Sequence, residues 1–183
     1  MKLITNIIFI ISVLLSGYYL YLHLVPLELG EVLLSAFSII LLMLPILIEK
    51  FSKFKIEKYI KLIYYFFLLI SFILGGLFKL YYSTSFFDLI VHGMFGFLLS
   101  MIIKPKVKVG GIKGIFLIIM IVLTIGFLWE CLEFFSDVFV GTDHQEAISG
   151  ATDTMMDLLI SVMGSVVCYI GTNILNKVQT YFA

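Results

Sequence analysis

The feature that most restricts this chain is a succession of long apolar runs, at residues 3–25, 27–48, 59–82, 86–103, 115–140 and 152–175. A hydrocarbon layer about 30 Å thick is crossed by roughly 20 apolar residues in a helix, and each run is near or above that length. The runs are continuous and do not alternate in ten-residue strokes, so they predict helices and not the strands of an outer-membrane barrel. Composition agrees, with 62% hydrophobic and 13% charged residues in 183 positions. A soluble globule is nearer half apolar and about a quarter charged. The expectation is an all-α, polytopic integral membrane bundle of six transmembrane helices. It forms a single domain over residues 1–183, without a soluble module or internal repeat. The first run is too long for a signal-peptide core and lacks an A-x-A-like cleavage site, so it reads as a retained first span. Runs 59–82 and 115–140 are long enough to tilt or to project beyond the lipid. Pro26 and Gly30 mark the first connection, Pro45 falls near the end of the second run, and Pro105, Gly110 and Gly111 mark the connection after the fourth.

Lysine placement sets the expected orientation. All twelve cationic side chains are lysines. Eleven of them (Lys2, Lys50, Lys53, Lys55, Lys58, Lys61, Lys104, Lys106, Lys108, Lys113 and Lys177) fall on one side of an alternating six-span path, and Lys79 falls on the other. Both termini are therefore expected in the cytoplasm, with the acidic connections around 26–31 and 141–150 facing outward. Topology alone accounts for these clusters without invoking lipid headgroups. The balanced charge and the lack of arginine, the preferred bidentate phosphate reader, argue against nucleic acid as a partner. Membrane lipids are the expected surroundings. Cys131 and Cys168 both lie within apolar runs and read as packing residues, not as a disulfide framework.

Ionisable groups inside a bilayer are costly, so the acids of the last three runs need a reason. Asp88 and His92 are four apart, and Gly96 and Ser100 continue their stripe. Gly126, Glu130, Glu133 and Asp137 share a second helical face, and Asp153, Asp157, Ser161, Gly164, Ser165 and Cys168 a third. Small and polar stripes of this kind let helices approach closely. In the expected topology Asp88, His92, Glu130, Glu133, Asp137, Asp153 and Asp157 all fall in the outer half of the membrane. The polar centre is thus built from residues 86–175.

That many carboxylates cannot all stay ionised in a low-dielectric space without compensation. Lys79, His92 and His144 are the nearest cations in the sequence, and they are fewer than the acids. A divalent metal ion held by oxygen ligands and one histidine balances the excess, and paired acids on adjacent helices can converge on an ion. The expected ligands are Asp88, His92, Glu130 and Asp157, with Glu133 or Asp153 as a general base if the centre is catalytic. Simpler roles cover some acids. Ser85-x-x-Asp88 forms a capping box, Asp153 or Thr154 caps the sixth span, Asp137 reaches water, and Asp143, His144 and Glu146 are solvated. Glu28 and Glu31, on a stripe with Ser35 and Ser38, face the outer connection. Trp129, Tyr81 and Tyr82 read as interfacial anchors. None of these roles accounts for Glu130, Glu133, Asp157 and His92.

The segments FDLIVHGMFGFLLS (87–100) and GFLWECLEFFSDVFVGTDHQEAISGATDTMMDLLISVMGSV (126–166) carry a combined pattern of D-x-x-x-H…G, W-E-x-x-E-F and D-T-M-x-D-L…G. In this pattern the chain resembles the YjdF-like family of uncharacterised bacterial membrane-spanning proteins. The matching positions are Asp88, His92, Gly96, Trp129, Glu130, Glu133, Phe134, Asp137, Gln145, Asp153, Thr154, Met155, Asp157 and Gly164. They occupy about the last half of the chain; the first three runs match in hydropathy alone. The resemblance implies a multi-pass protein of the bacterial inner membrane and supplies no activity. A looser likeness to VanZ-type membrane proteins implies work at the cell envelope, by analogy.

Three function classes follow. In the first, an outward-facing site binds a divalent cation and, if enzymatic, directs metal-activated water onto an envelope or lipid substrate. In the second, the acids carry ions or protons in a coupled transporter; the lack of a repeat, of a clearly broken helix pair and of a matching acid cluster in the inner half speaks against it. In the third, the polar network fixes helix packing and does nothing else. Substrate and oligomeric state are not written in the sequence.

Overall fold

A computed structural model describes residues 2–52, 55–84, 86–141 and 150–182, with side chains as far as residue 175. Among the described residues the structure is helical, without strands. Helix α1 spans Lys2–Leu24, α2 Leu29–Phe51 and α3 Lys58–Leu68, which passes into a π-helix over Leu69–Leu77. A single turn, α4 (Leu80–Ser83), precedes α5 (Phe87–Ile103), α6 (Gly111–Val140) and α7 (Gly150–Phe182). Six stretches are long and apolar enough to cross a bilayer: Lys2–Leu24, Leu29–Phe51, Lys58–Leu77, Phe87–Lys106, Gly111–Val140 and Gly150–Leu175. The expected all-α polytopic membrane protein is what the chain forms.

Helix ends differ from the hydropathy reading in instructive ways. Gly30 lies inside the first turn of α2, and the reversal before it is made by Leu27 at φ +55°. Pro45 sits within α2, which continues to Phe51. The third span stops at Leu77, because Phe78 leaves the helix and Lys79 takes a left-handed conformation. Helix α6 begins at Gly111, four residues before the apolar run expected at 115. A helix continues past its apolar stretch wherever its backbone bonds are satisfied, whereas hydropathy registers only the lipid-facing part.

The packing is inverted relative to a soluble protein. Ser12, Ser16, Ser35, Ser38, Ser100, Ser161 and Ser165 are fully or almost fully buried, whereas Leu14, Phe127 and Val167 are more than half exposed. Lipid tails solvate apolar side chains as well as a core would, so close backbone approach and hydrogen bonds carry helix association. The chain divides into two compact units, residues 1–88 and 89–183, with the boundary in the first turn of α5. In the first unit, Ser38 donates to Ser16 at 2.9 Å, joining α2 to α1. Tyr64 donates to the Leu41 carbonyl at 2.7 Å, joining α3 to α2. Glu49 pairs with Lys61 and accepts the Ile56 N–H at 2.9 Å, which ties the α2–α3 connection.

In the second unit α5 and α7 meet almost backbone to backbone. A Cβ on Gly96 would run into the Ser161 carbonyl, and one on Gly164 into the Gly93 carbonyl. Ser100 donates to Ser165 at 2.7 Å along the same seam. Helix α6 adds Ile118 and Val122, packed with Tyr169 of α7 and flanked by Leu99, Ile103 and Val107. The Gly126 face of α6 rests against Leu158. The small-residue stripes read from the sequence thus form the contacts among these three helices.

Candidate metal centre

Because α6 runs opposite to α5 and α7, its C-terminal third lies beside their first turns. His92 stands in the second turn of α5, Glu130 and Glu133 stand one turn apart on α6, and Asp157 stands two turns into α7. His92, Glu130 and Asp157 are 5%, 3% and 1% exposed, so the polar groups at the heart of the unit are shielded from solvent. His92 Nε2 is 3.8 Å from Glu130 Oε1 and 4.0 Å from Asp157 Oδ2. Both separations are too long for hydrogen bonds.

The other ring nitrogen faces α7. The Ser161 hydroxyl donates to the His92 carbonyl at 3.2 Å, and its oxygen lies 3.5 Å from Nδ1. With its hydrogen engaged there, that oxygen offers Nδ1–H an acceptor and turns the lone pair of Nε2 toward the carboxylates. Histidines that bind metal are usually held by such a partner on the far nitrogen. The acids are oriented too. Thr154 Oγ1 donates to Glu130 Oε2 at 3.0 Å, and Trp129 Nε1 donates to Glu133 Oε1 at 2.8 Å.

Two sets of ligand atoms lie within 4.8 Å of one another: Asp88, His92 and Asp157, and His92, Glu130 and Glu133. His92 belongs to both. Asp88 precedes it by one turn on α5 and is half-buried, as is Glu133. All four expected ligands therefore belong to a set, and Glu133, expected as a base, stands among them. Asp153 and Asp137 are half-buried and belong to neither set. Asp153 lies in the first turn of α7, where a carboxylate also suits the helix dipole.

Several neighbours have roles that differ from those expected. Lys79 pairs with Glu31 at 3.4 Å within the first unit, so its charge serves that acid. Glu28 pairs with His23. Ser85, Asp143, His144, Gln145 and Glu146 lie outside the described residues, and with them the capping box and the expected outer-loop histidine. Thr154 points at Glu130, although the sequence suggested a cap, and Trp129, expected as an interfacial anchor, also holds Glu133. The signal for Trp129 was its spacing, one turn before Glu133. For Thr154 there was none, since its partner is on another helix. Cys131 and Cys168 are free thiols.

Nitrogen from one imidazole with oxygen from several carboxylates is a donor set for a hard or borderline divalent cation. No curated protein and no solved structure matches the chain. Residues 4–177 match the family model described as "Predicted membrane protein (DUF2238)". That match takes in nearly the whole of the six apolar helices and all the residues of the buried cluster, and the chain belongs to this family of membrane proteins.

Proposed function

We propose that this protein binds a divalent cation between α5, α6 and α7, with His92 as the ligand common to an Asp88–Asp157 set and a Glu130–Glu133 set. The spacing carries the reading. Ligand atoms about 2.0–2.6 Å from an ion stand roughly 3–4 Å from one another. The 3.8 and 4.0 Å from Nε2 to the two carboxylates fall in that interval. Burial adds to it, since a carboxylate taken out of water favours a cation beside it. The lysine pattern supports a cell-membrane protein with cytoplasmic termini, so that the centre opens outward. The YjdF-like and VanZ-type likenesses support a bacterial inner membrane and a substrate of the envelope or lipid class. In the hydrolytic form of this reading, Glu133, held by Trp129, is left out of the shell and takes the proton of an attacking water.

Metal analysis of purified protein tests it, with Glu130→Gln and His92→Ala beside the wild type and helicity followed by circular dichroism. About one ion per chain is expected in the wild type, with at least a tenfold loss in either variant and unchanged helicity. A wild type that takes up neither magnesium, manganese nor zinc would sink the reading. Variants that simply unfold from metal-free material would assign the cluster to packing alone.

A further inference from the structure

At the end of the second unit remote from the acids, α5 finishes at Ile103 and the chain turns through Lys104–Lys106 before α6 opens at Gly111. Lys104, Lys106 and Lys108 lie on this connection, and Lys113 follows in the first turn of α6. Orientation in a membrane asks only that such charges lie near the surface. Lys104 does more. Its ammonium folds onto α7, donating to the Tyr169 carbonyl at 3.0 Å, to Asn173 Oδ1 at 2.7 Å and to Thr172 Oγ1. It also sits 4.6 Å from the centre of the Tyr169 ring. All of these partners are neutral. A half-buried cation is thus fixed in place by hydrogen bonds to neutral groups, with no anionic partner among the described residues.

Beside this ammonium lies a cleft of about 300 Å³, walled by Lys104, Lys108, Val109, Gly110, Tyr169 and Asn173 among others, with no carboxylate among the described residues of the wall. Across Tyr169 and Asn173, which line both, a second cleft of about 400 Å³ runs between Ile112 and Ile115 of α6 and Ile170 and Ile174 of α7. A basic recess at the end of the membrane helices thus leads into an aliphatic furrow between two of them. Basic pockets between transmembrane helices are suited to anionic headgroups. A free phosphate ester would leave the furrow of isoleucines unused.

We infer that this end of the unit binds one anionic phospholipid, its headgroup between Lys104 and Lys108 and an acyl chain along the four isoleucines. Lys104 is pre-set by α7, and Lys108, which is exposed, closes on the headgroup from the connection. Tyr169 separates the polar recess from the furrow.

The test uses the full-length protein, stripped of lipid in detergent and titrated by native mass spectrometry. The probes are phosphatidylglycerol, phosphatidylcholine with the same acyl chains, and glycerol 3-phosphate. Phosphatidylglycerol should bind about tenfold more tightly than phosphatidylcholine, and glycerol 3-phosphate should not displace it. Lys104→Gln risks releasing α5 from α7, so Lys108→Gln carries the test and should weaken phosphatidylglycerol about fivefold. Ile170→Trp, which fills the furrow, should weaken both lipids. Lys106→Gln, outside the wall, should change retention by less than about twofold. Equal binding of the two lipids would overturn the inference, as would equal losses from Lys106→Gln and Lys108→Gln, the mark of diffuse charge. So would displacement of the lipid by glycerol 3-phosphate, which would reassign the recess to a soluble phosphate ester.

Discussion

Helices α1–α3 and α5–α7 are both apolar outside and polar within, yet they treat acids differently. In the first group Glu31 and Glu49 stand beside Lys79 and Lys61, and Glu28 beside the His23 imidazole. In the second, Glu130 and Asp157 face one imidazole, at distances too long for hydrogen bonds. The buried serines differ in the same sense. Ser38 spends its hydroxyl on α1–α2 and local backbone contacts, whereas Ser161 spends its hydroxyl on the backbone and ring of His92. One set of helices uses polarity to close on itself, and the other holds polar groups apart at the spacing of a ligand shell. Like residue types therefore carry different meanings according to the geometry in which they meet.

Substitutions can break or sharpen this contrast. The largest expected effect is at the α5–α7 seam. Gly96→Val drives a side chain into the Ser161 carbonyl and should destabilise the second unit by about 3 kcal/mol, read as early loss of helicity on heating. Gly17→Ala in α1, where a Cβ meets nothing within 4 Å, should be silent or slightly stabilising in the same assay. Next comes Ser161→Ala, which frees the His92 ring without touching an acid. Metal affinity should fall by about 10- to 100-fold with the fold retained, and an unchanged affinity would remove Ser161 from the centre. Ser38→Ala should cost about 1 kcal/mol of stability and leave metal content alone, because its partners are on α1 and α2. Smallest of all, Lys79→Gln should shift stability by less than about 1 kcal/mol, since its side chain is 58% exposed. A large metal loss from Lys79→Gln would erase the contrast between the two groups of helices.

Much of the fold was legible because a hydrocarbon solvent leaves few choices: six apolar runs became six long helices. What hydropathy missed was local backbone chemistry. Nothing in the run 59–82 announces that it gives way to π geometry at Leu69 and breaks at Lys79. The acids that meet were legible by helical spacing, since four-residue intervals put Asp88 with His92 and Asp153 with Asp157 on shared faces. Spacing alone could not rank Asp153 and Asp157; depth in the apolar run made Asp157 the expected ligand, and Asp157 is the one grouped with Asp88 and His92 of α5. Nor could spacing assign Thr154 or Ser161, whose hydrogen bonds reach to other helices.

The seam between α5 and α7 limits how this unit can move. Each carbonyl there occupies the space of a missing side chain, at Gly96 against Ser161 and at Gly164 against Gly93. Sliding one helix by a turn, about 5.4 Å, would carry the side chains on the same face, His92 and Ser100, toward the seat of Gly96. Shear along this pair is therefore blocked, and any alternating-access cycle would have to carry α5 and α7 together as one rigid blade.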